Sequence, residues 1–184
     1  MDRNEAIQLI RGHVKGEFLF KHMLATEAIM RATARELGED EEAWGMAGLC
    51  HDIDFEETKE NVGEHGLIAQ KHLAGKLPEA SLRAIEDHSY FLRGAPEPTD
   101  RMSIALLAAD AITGLIIAAA LVKPDKKLSS VTTESVANAF KKKGFAAGSN
   151  REQIKRMESA GMKLERFYEI SLKAMQGIAG ELGL

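Results

Sequence analysis

A single cysteine, Cys50, leaves this chain without an internal disulfide. That fits a reducing compartment, so a cytoplasmic location is expected. Prolines number only four, so nothing repeatedly interrupts helices. Aromatics stand at 5%, and few stretches alternate with period two, which argues against a β-sandwich or barrel. No phosphate-cradling glycine loop occurs, since "GKL" at Gly75 lacks both the upstream glycine and the hydroxyl. No serine sits in a G-x-S-x-G turn, and Cys50 has no second cysteine for redox chemistry. The start, "MDRNEAIQLIRGHVKGEF", is polar and helical and carries no apolar signal-peptide core. A basic stripe interleaved with aromatics is also missing and the net charge is −4, so no nucleic-acid partner is expected.

What is present favours helix. Ala, Leu, Glu, Lys and Met are plentiful, 45% of the 184 residues are apolar and 28% are charged. The expectation is one soluble all-α domain, a helical bundle over residues 1–184, with its candidate ligands in 22–110 and a basic helical part in 125–184. Helices are predicted over Asn4–His13 and Glu17–Leu37, the second ending at Gly38. A third is capped by Asp40, and two more cover Glu64–Ala74 and Pro78–Ser89. Thr99 is the expected cap of a long apolar helix that ends before Pro124. Thr132 or Thr133 opens the next helix, Ser149 and Glu152 have capping-box spacing, and a last helix begins near Met162.

Residues 103–122, "SIALLAADAITGLIIAAALV", are long enough to cross a bilayer but carry Asp110 near the middle. An acid at bilayer depth is costly, so the segment reads as a core helix and no membrane association is expected. Charge is distributed unevenly. Residues 36–64 hold eleven acids and one base, whereas residues 121–166 hold eleven bases and five acids. Two differently solvated faces account for this; cations gathering on one part and phosphates on the other is the sharper reading.

Six histidines occur, and four stand at informative places. His22 lies midway along a long predicted helix. His51 and Asp52 close another, His65 follows the acidic loop, and His88 closes the next helix. Asp110 lies within the most apolar helix, where its neighbours at three and four residues (Leu106, Leu107, Thr113, Gly114) include no base. A carboxylate there needs a cation, a basic partner from elsewhere, or several donors. A metal held with His51 and Asp52 is one solution; a loop amide or an arginine from another helix is another. His13 reads as a surface residue. His72, one heptad after His65, reads as a surface residue too, though its face lets it compete as a ligand.

The order His22, His51-Asp52, Asp110 resembles the HD-domain superfamily of metal-dependent phosphohydrolases. The resemblance covers most of the chain: "HMLATEAIMRATARELG", "AGLCHDIDFE", "EHGLIAQKHLAGKLPEASLRAIEDHS" and "AADAITGLI" follow in the family's order. It implies an HD-type bundle and metal ligands His22, His51, Asp52 and Asp110. Family members with two ions add histidines where His65 and His88 stand, and in them the HD aspartate bridges the ions. Asp52 is then both bridge and central catalytic residue. The implied cofactor is one or two divalent transition ions, Fe, Mn, Co, Ni or Zn. The implied reaction is hydrolysis of a small phosphate ester or nucleotide by metal-bound hydroxide. Asp54, Glu56 and Glu57 are candidate general acids, and Arg151, at a helix start, is the favoured substrate-phosphate ligand, ahead of Lys123 and Lys141 to Lys143.

The chain departs from the superfamily's cyclic-dinucleotide phosphodiesterases. Asp54 and Phe55 stand where those have an Ile-Gly-Lys-like run, and Ser89 follows His88 in place of a second histidine. The inositol-oxygenase branch uses a similar six-ligand set, so a diiron oxygenase is an alternative; a sensor that binds metal or nucleotide without turnover is another.

Overall fold

The computed structural model describes residues 1–184 and contains helices but no strand. Helix α1 (Arg3–His13) opens with a capping box in which Asp2 and Glu5 satisfy each other's backbone amides. Helix α2 (Glu17–Leu37) ends at Gly38, whose φ of 71° allows the left-handed turn that closes it. Asp40 accepts from the Ala43 amide to cap α3 (Glu41–Cys50). Then come an acidic turn region, a short 3₁₀ turn at Val62–Glu64, α4 (Leu67–Leu73), α5 (Glu79–Asp87) and α6 (Tyr90–Arg93). The chain finishes with α7 (Arg101–Leu121), α8 (Thr133–Lys141), α9 (Arg151–Lys155), α10 (Leu164–Gly177) and α11 (Ala179–Leu182).

Most boundaries fall near their predicted places, and the differences have local causes. The helix expected from Glu64 starts only at Leu67, because Gly66 takes φ 82° and breaks the run. Asp100, not Thr99, caps α7 by accepting from the Ser103 amide. Asn150, not Ser149, caps α9 by accepting from the amides of Glu152 and Gln153. Helix α6 is absent from the sequence reading, since its four residues are too few to show a period.

Helix α7 is long and apolar enough to cross a bilayer, yet most of its apolar stretch is buried by the helices around it. It packs against α2, α3, α5, α8, α9 and α10, and so forms the axis of the bundle. Helix α3 lies along α2 at close range, and two glycines make this possible. At Gly45 an added Cβ would fall 2.5 Å from Arg31 Cγ, so the missing side chain leaves room for that arginine. Arg31 in turn bonds buried Glu27 (2.9 Å) and Glu42 (2.7 Å), and Arg3 also bonds Glu27 (2.8 Å). The one buried acid of α2 is therefore paired twice.

Gly48 is less forgiving, because a Cβ there would meet backbone, 2.9 Å from the Thr26 carbonyl oxygen and 3.1 Å from Glu27 Cα. Gly48→Ala should destabilise the fold by roughly 1–3 kcal/mol through overpacking. That loss should appear as a fall of several degrees in Tm, although alanine favours an isolated helix by about 1 kcal/mol. A melting curve at or above wild type would contradict this packing.

Candidate metal centre

The helix ends deliver the donors. His22 projects from the middle of α2 and Asp110 from the middle of α7. His51 is the residue on which α3 ends, and Asp52 follows it; His88 ends α5 in the same way. His65 sits between the 3₁₀ turn and α4, aimed by the Gly66 turn. At Gly66 a Cβ would meet Ser89 Oγ at 2.8 Å and the Ile85 carbonyl oxygen at 3.0 Å, so the chain passes close beneath α5.

All six residues come together, and they form two sets that share one carboxylate. Asp52 Oδ2 lies 3.4 Å from His51 Nε2 and 3.7 Å from His22 Nε2, and His22 Nε2 is 3.0 Å from Asp110 Oδ1. Asp52 Oδ1 lies 3.3 Å from His65 Nε2 and 3.5 Å from His88 Nε2. Donors bound at 2.0–2.2 Å around a tetrahedral ion stand about 3.3 Å apart. The observed spacings bracket that figure, so the donor sets fit an ion on each side of Asp52.

Hydrogen bonds on the far side of each ring set its direction. His51 Nδ1–H donates to the Gly48 carbonyl (2.8 Å) and His88 Nδ1–H to the Ile85 carbonyl. His65 Nδ1–H donates to Asp54 Oδ1 (2.8 Å). Thr113 donates its hydroxyl to the Asp110 carbonyl (2.7 Å), so at 3.0 Å its oxygen accepts from His22 Nδ1–H. A ring held this way, in its neutral form, turns an Nε2 lone pair inward. Those lone pairs meet at 3.2 Å between His22 and His51 and at 2.9 Å between His65 and His88. Facing nitrogens at such distances need a proton or a metal ion between them.

The field inside the cluster favours cations. Burial pushes the His51 imidazole down to about 4, which keeps it neutral and able to ligate. Asp52 lies well below the usual carboxylate range: burial opposes this, but the surrounding imidazoles, His51 foremost, outweigh it. Burial likewise opposes charge on His65, yet Asp52 and Asp54 lift it to about 9. His22 and Asp110 are matched in the same way, the imidazole raised and the carboxyl lowered against burial by their mutual bond.

Several residues have other work than the sequence suggests. Asp54, a candidate general acid, is fully buried. Its carboxylate accepts from His65 and from the amides of Gly66 and Ala69 (2.8 Å each), so it both caps α4 and backs the inward-turned His65 imidazole. Glu56 accepts from the Lys15 and Gly16 amides, and Glu57 faces His72. Arg151 does not reach out to a substrate. Its guanidinium donates to the carbonyls of Phe145, Ala146 (2.6 Å) and Ser149 (2.7 Å), and so staples the loop between α8 and α9. Thr113 is the residue the sequence reading passes over. Its one signal is its place a turn after Asp110.

A cleft of about 570 Å³ opens beside the His22–Asp110 edge of the cluster. Asp110, partly exposed, is where the apolar axis helix reaches this opening. Phe18 and Phe91 stand at the cleft with most or about half of their surface exposed. Ile117 adds an apolar wall, and Ser149, Asn150 and Gln153 line the far side. Neither lysine nor arginine lines it.

A helical bundle that gathers four imidazoles and two carboxylates in one place offers donor sets that could hold divalent metal ions. The family model for the HD domain matches residues 19–120, and the chain belongs to the HD-domain family, whose superfamily comprises metal-dependent phosphohydrolases. Among known proteins the chain is similar to ribonuclease Y of Bacillus thuringiensis, 34% identical over 100 residues, and of Staphylococcus epidermidis, 35% identical over 98. Each match covers 53% of this chain and 18% of the relative, so less than a fifth of those longer proteins is represented. No solved structure matches the chain.

Proposed function

We propose that the protein is a metal-dependent phosphohydrolase of the cytoplasm that cleaves a small phosphate ester or a nucleotide, with His22, His51, Asp52, His65, His88 and Asp110 as ligands of two ions. The observation that carries this reading is the pair of inward-facing donor sets divided by Asp52, next to an open cleft. When bound there, divalent transition ions lower the pKa of water towards neutrality and offset charge on phosphoryl oxygens. The chain itself does the positioning. Asp54, Thr113 and the carbonyls of Gly48 and Ile85 hold the four rings in one tautomer.

The cleft receives the remainder of the substrate. Because neither lysine nor arginine lines it, the phosphoryl charge is matched at the metal centre and the rest of the molecule is neutral. Gln153, 8% exposed and with no side-chain hydrogen bond within the chain, lines this space with Ser149. Beside two phenyl rings, such groups suit a flat heterocycle bearing donors and acceptors. Gln153→Leu should lower kcat/KM roughly 5–30-fold, mostly through KM, as expected for a lost hydrogen bond of about 1–2 kcal/mol.

The ribonuclease relatives support a second reading, in which the same centre cleaves a phosphodiester of RNA. The absence of lysine and arginine in the cleft favours the small substrate. Purified protein charged with Mn²⁺ or Fe²⁺ should release phosphate from at least one member of a panel of nucleotides and phosphate esters. Shortening of a labelled RNA oligonucleotide, with no phosphate released from the panel, would select the second reading. If well-metallated protein acts on neither, and nucleotides raise its Tm without turnover, it is a sensor.

A further inference from the structure

The two histidines outside the principal centre meet each other. His13 ends α1, His72 lies in the last turn of α4, and their rings stand 4.2 Å apart between centroids. Glu57, from the acidic turn region, completes the group: its Oε2 is 2.8 Å from His72 Nε2 and 4.0 Å from His13 Nδ1. The three ligating atoms all lie within 4.8 Å of one another, and every histidine in the chain therefore belongs to one of two clusters.

From this convergence we propose a second, peripheral metal site, formed by His13, Glu57 and His72, that binds a transition ion such as Zn²⁺ or Ni²⁺. Two imidazoles and one carboxylate are the donor set that such ions take in preference to Ca²⁺ or Mg²⁺. A tetrahedral ion needs donors about 3.3 Å apart, so the 4.0 Å gap closes and the 2.8 Å contact opens, each by well under 1 Å. Side-chain rotation supplies that movement, since all three side chains are a quarter to a half exposed. The same exposure leaves positions for water on the ion. The nearby cation, Lys15, is turned away, with its Nζ bonded to the carbonyls of Arg11 and Gly12 at 3.0 Å.

The backbone around the site is already anchored. Glu56 accepts from the Lys15 and Gly16 amides, and Asp54 holds the start of α4. An ion at this site ties α1, α4 and the turn region together a few residues from Asp52 and Asp54. It acts as a clamp on the loop that carries the bridging carboxylate. Binding of an ion at this site is independent of the reaction at the principal centre.

Wild-type protein and the His13→Ala/His72→Ala double variant should be dialysed against buffered Zn²⁺ and their bound metal counted. The double variant is expected to retain one equivalent of zinc fewer than wild type, the principal centre holding the same amount of metal in both. Equal zinc content in the two would overturn the proposal. Should the double variant fold poorly, titrating wild-type protein with Zn²⁺ while following the histidine ring resonances by NMR gives the second measurement. His13 and His72 must shift together and saturate; if they do not respond, the site does not exist. Neither readout depends on whether any phosphate ester is a substrate.

Discussion

Asp52→Ala should remove metal from both halves of the principal centre and lower phosphate release by about 10³-fold or more. The two oxygens of this carboxylate face different imidazole pairs, Oδ2 towards His22 and His51, Oδ1 towards His65 and His88. No other acid touches both sets. Asp110 serves only the first, and Asp54 reaches only the outer nitrogen of His65. Bound ions contribute several kcal/mol to phosphoryl-transfer transition states, and each 1.36 kcal/mol is a factor of ten, which gives the stated loss. Asp52→Asn keeps one oxygen and should retain part of the metal with little of the rate. Elemental analysis alongside kinetics is the measurement, and full metal content in Asp52→Ala would refute the bridging arrangement.

The second large effect is expected at Asp54, which touches no ion position. Asp54→Ala strips a buried carboxylate from an imidazole and two amides, all at 2.8 Å. Breaking a buried ion pair of this kind costs about 3–5 kcal/mol, so thermal or urea unfolding should show a substantial loss of stability. Without its carboxylate partner His65 loses its fixed tautomer, and metal affinity on that side of the centre should fall roughly 10–100-fold. Metal content on the His22–Asp110 side should persist. A variant with wild-type stability and full metal would show that Asp54 supports neither His65 nor the start of α4.

The bundle itself is well marked in the sequence, because apolar periodicity, the Asp40 and Thr132 caps and Gly38 are local signals read by local chemistry. Asp110 is legible for a related reason: one acid in an otherwise apolar helix demands a partner wherever that helix goes. Asp54 is not, since it is one of eleven acids between residues 36 and 64 and nothing nearby marks it as the buried one. Arg151 misleads because an arginine opening a helix looks ready for an anion. The carbonyls that capture it belong to loop geometry that no residue pattern reveals. His13 and His72 are far apart in the chain, and only the packing of α1 against the turn region and α4 brings them together.

His51 and His88 each end a helix and donate Nδ1–H to the carbonyl three residues back, Gly48 and Ile85 respectively. Their aim is therefore written into the last turn of their own helices and needs no scaffold from the rest of the protein. A histidine in that setting is a self-contained cartridge. Transplanted with its final turn onto paired helices of a designed bundle, it should point its Nε2 in the same direction without further support. Only His22 and His65, whose outer partners come from Thr113 and Asp54, need the wider fold around them. Drift in the surrounding core should therefore misalign that second pair first, leaving a centre half of whose ligands still point correctly.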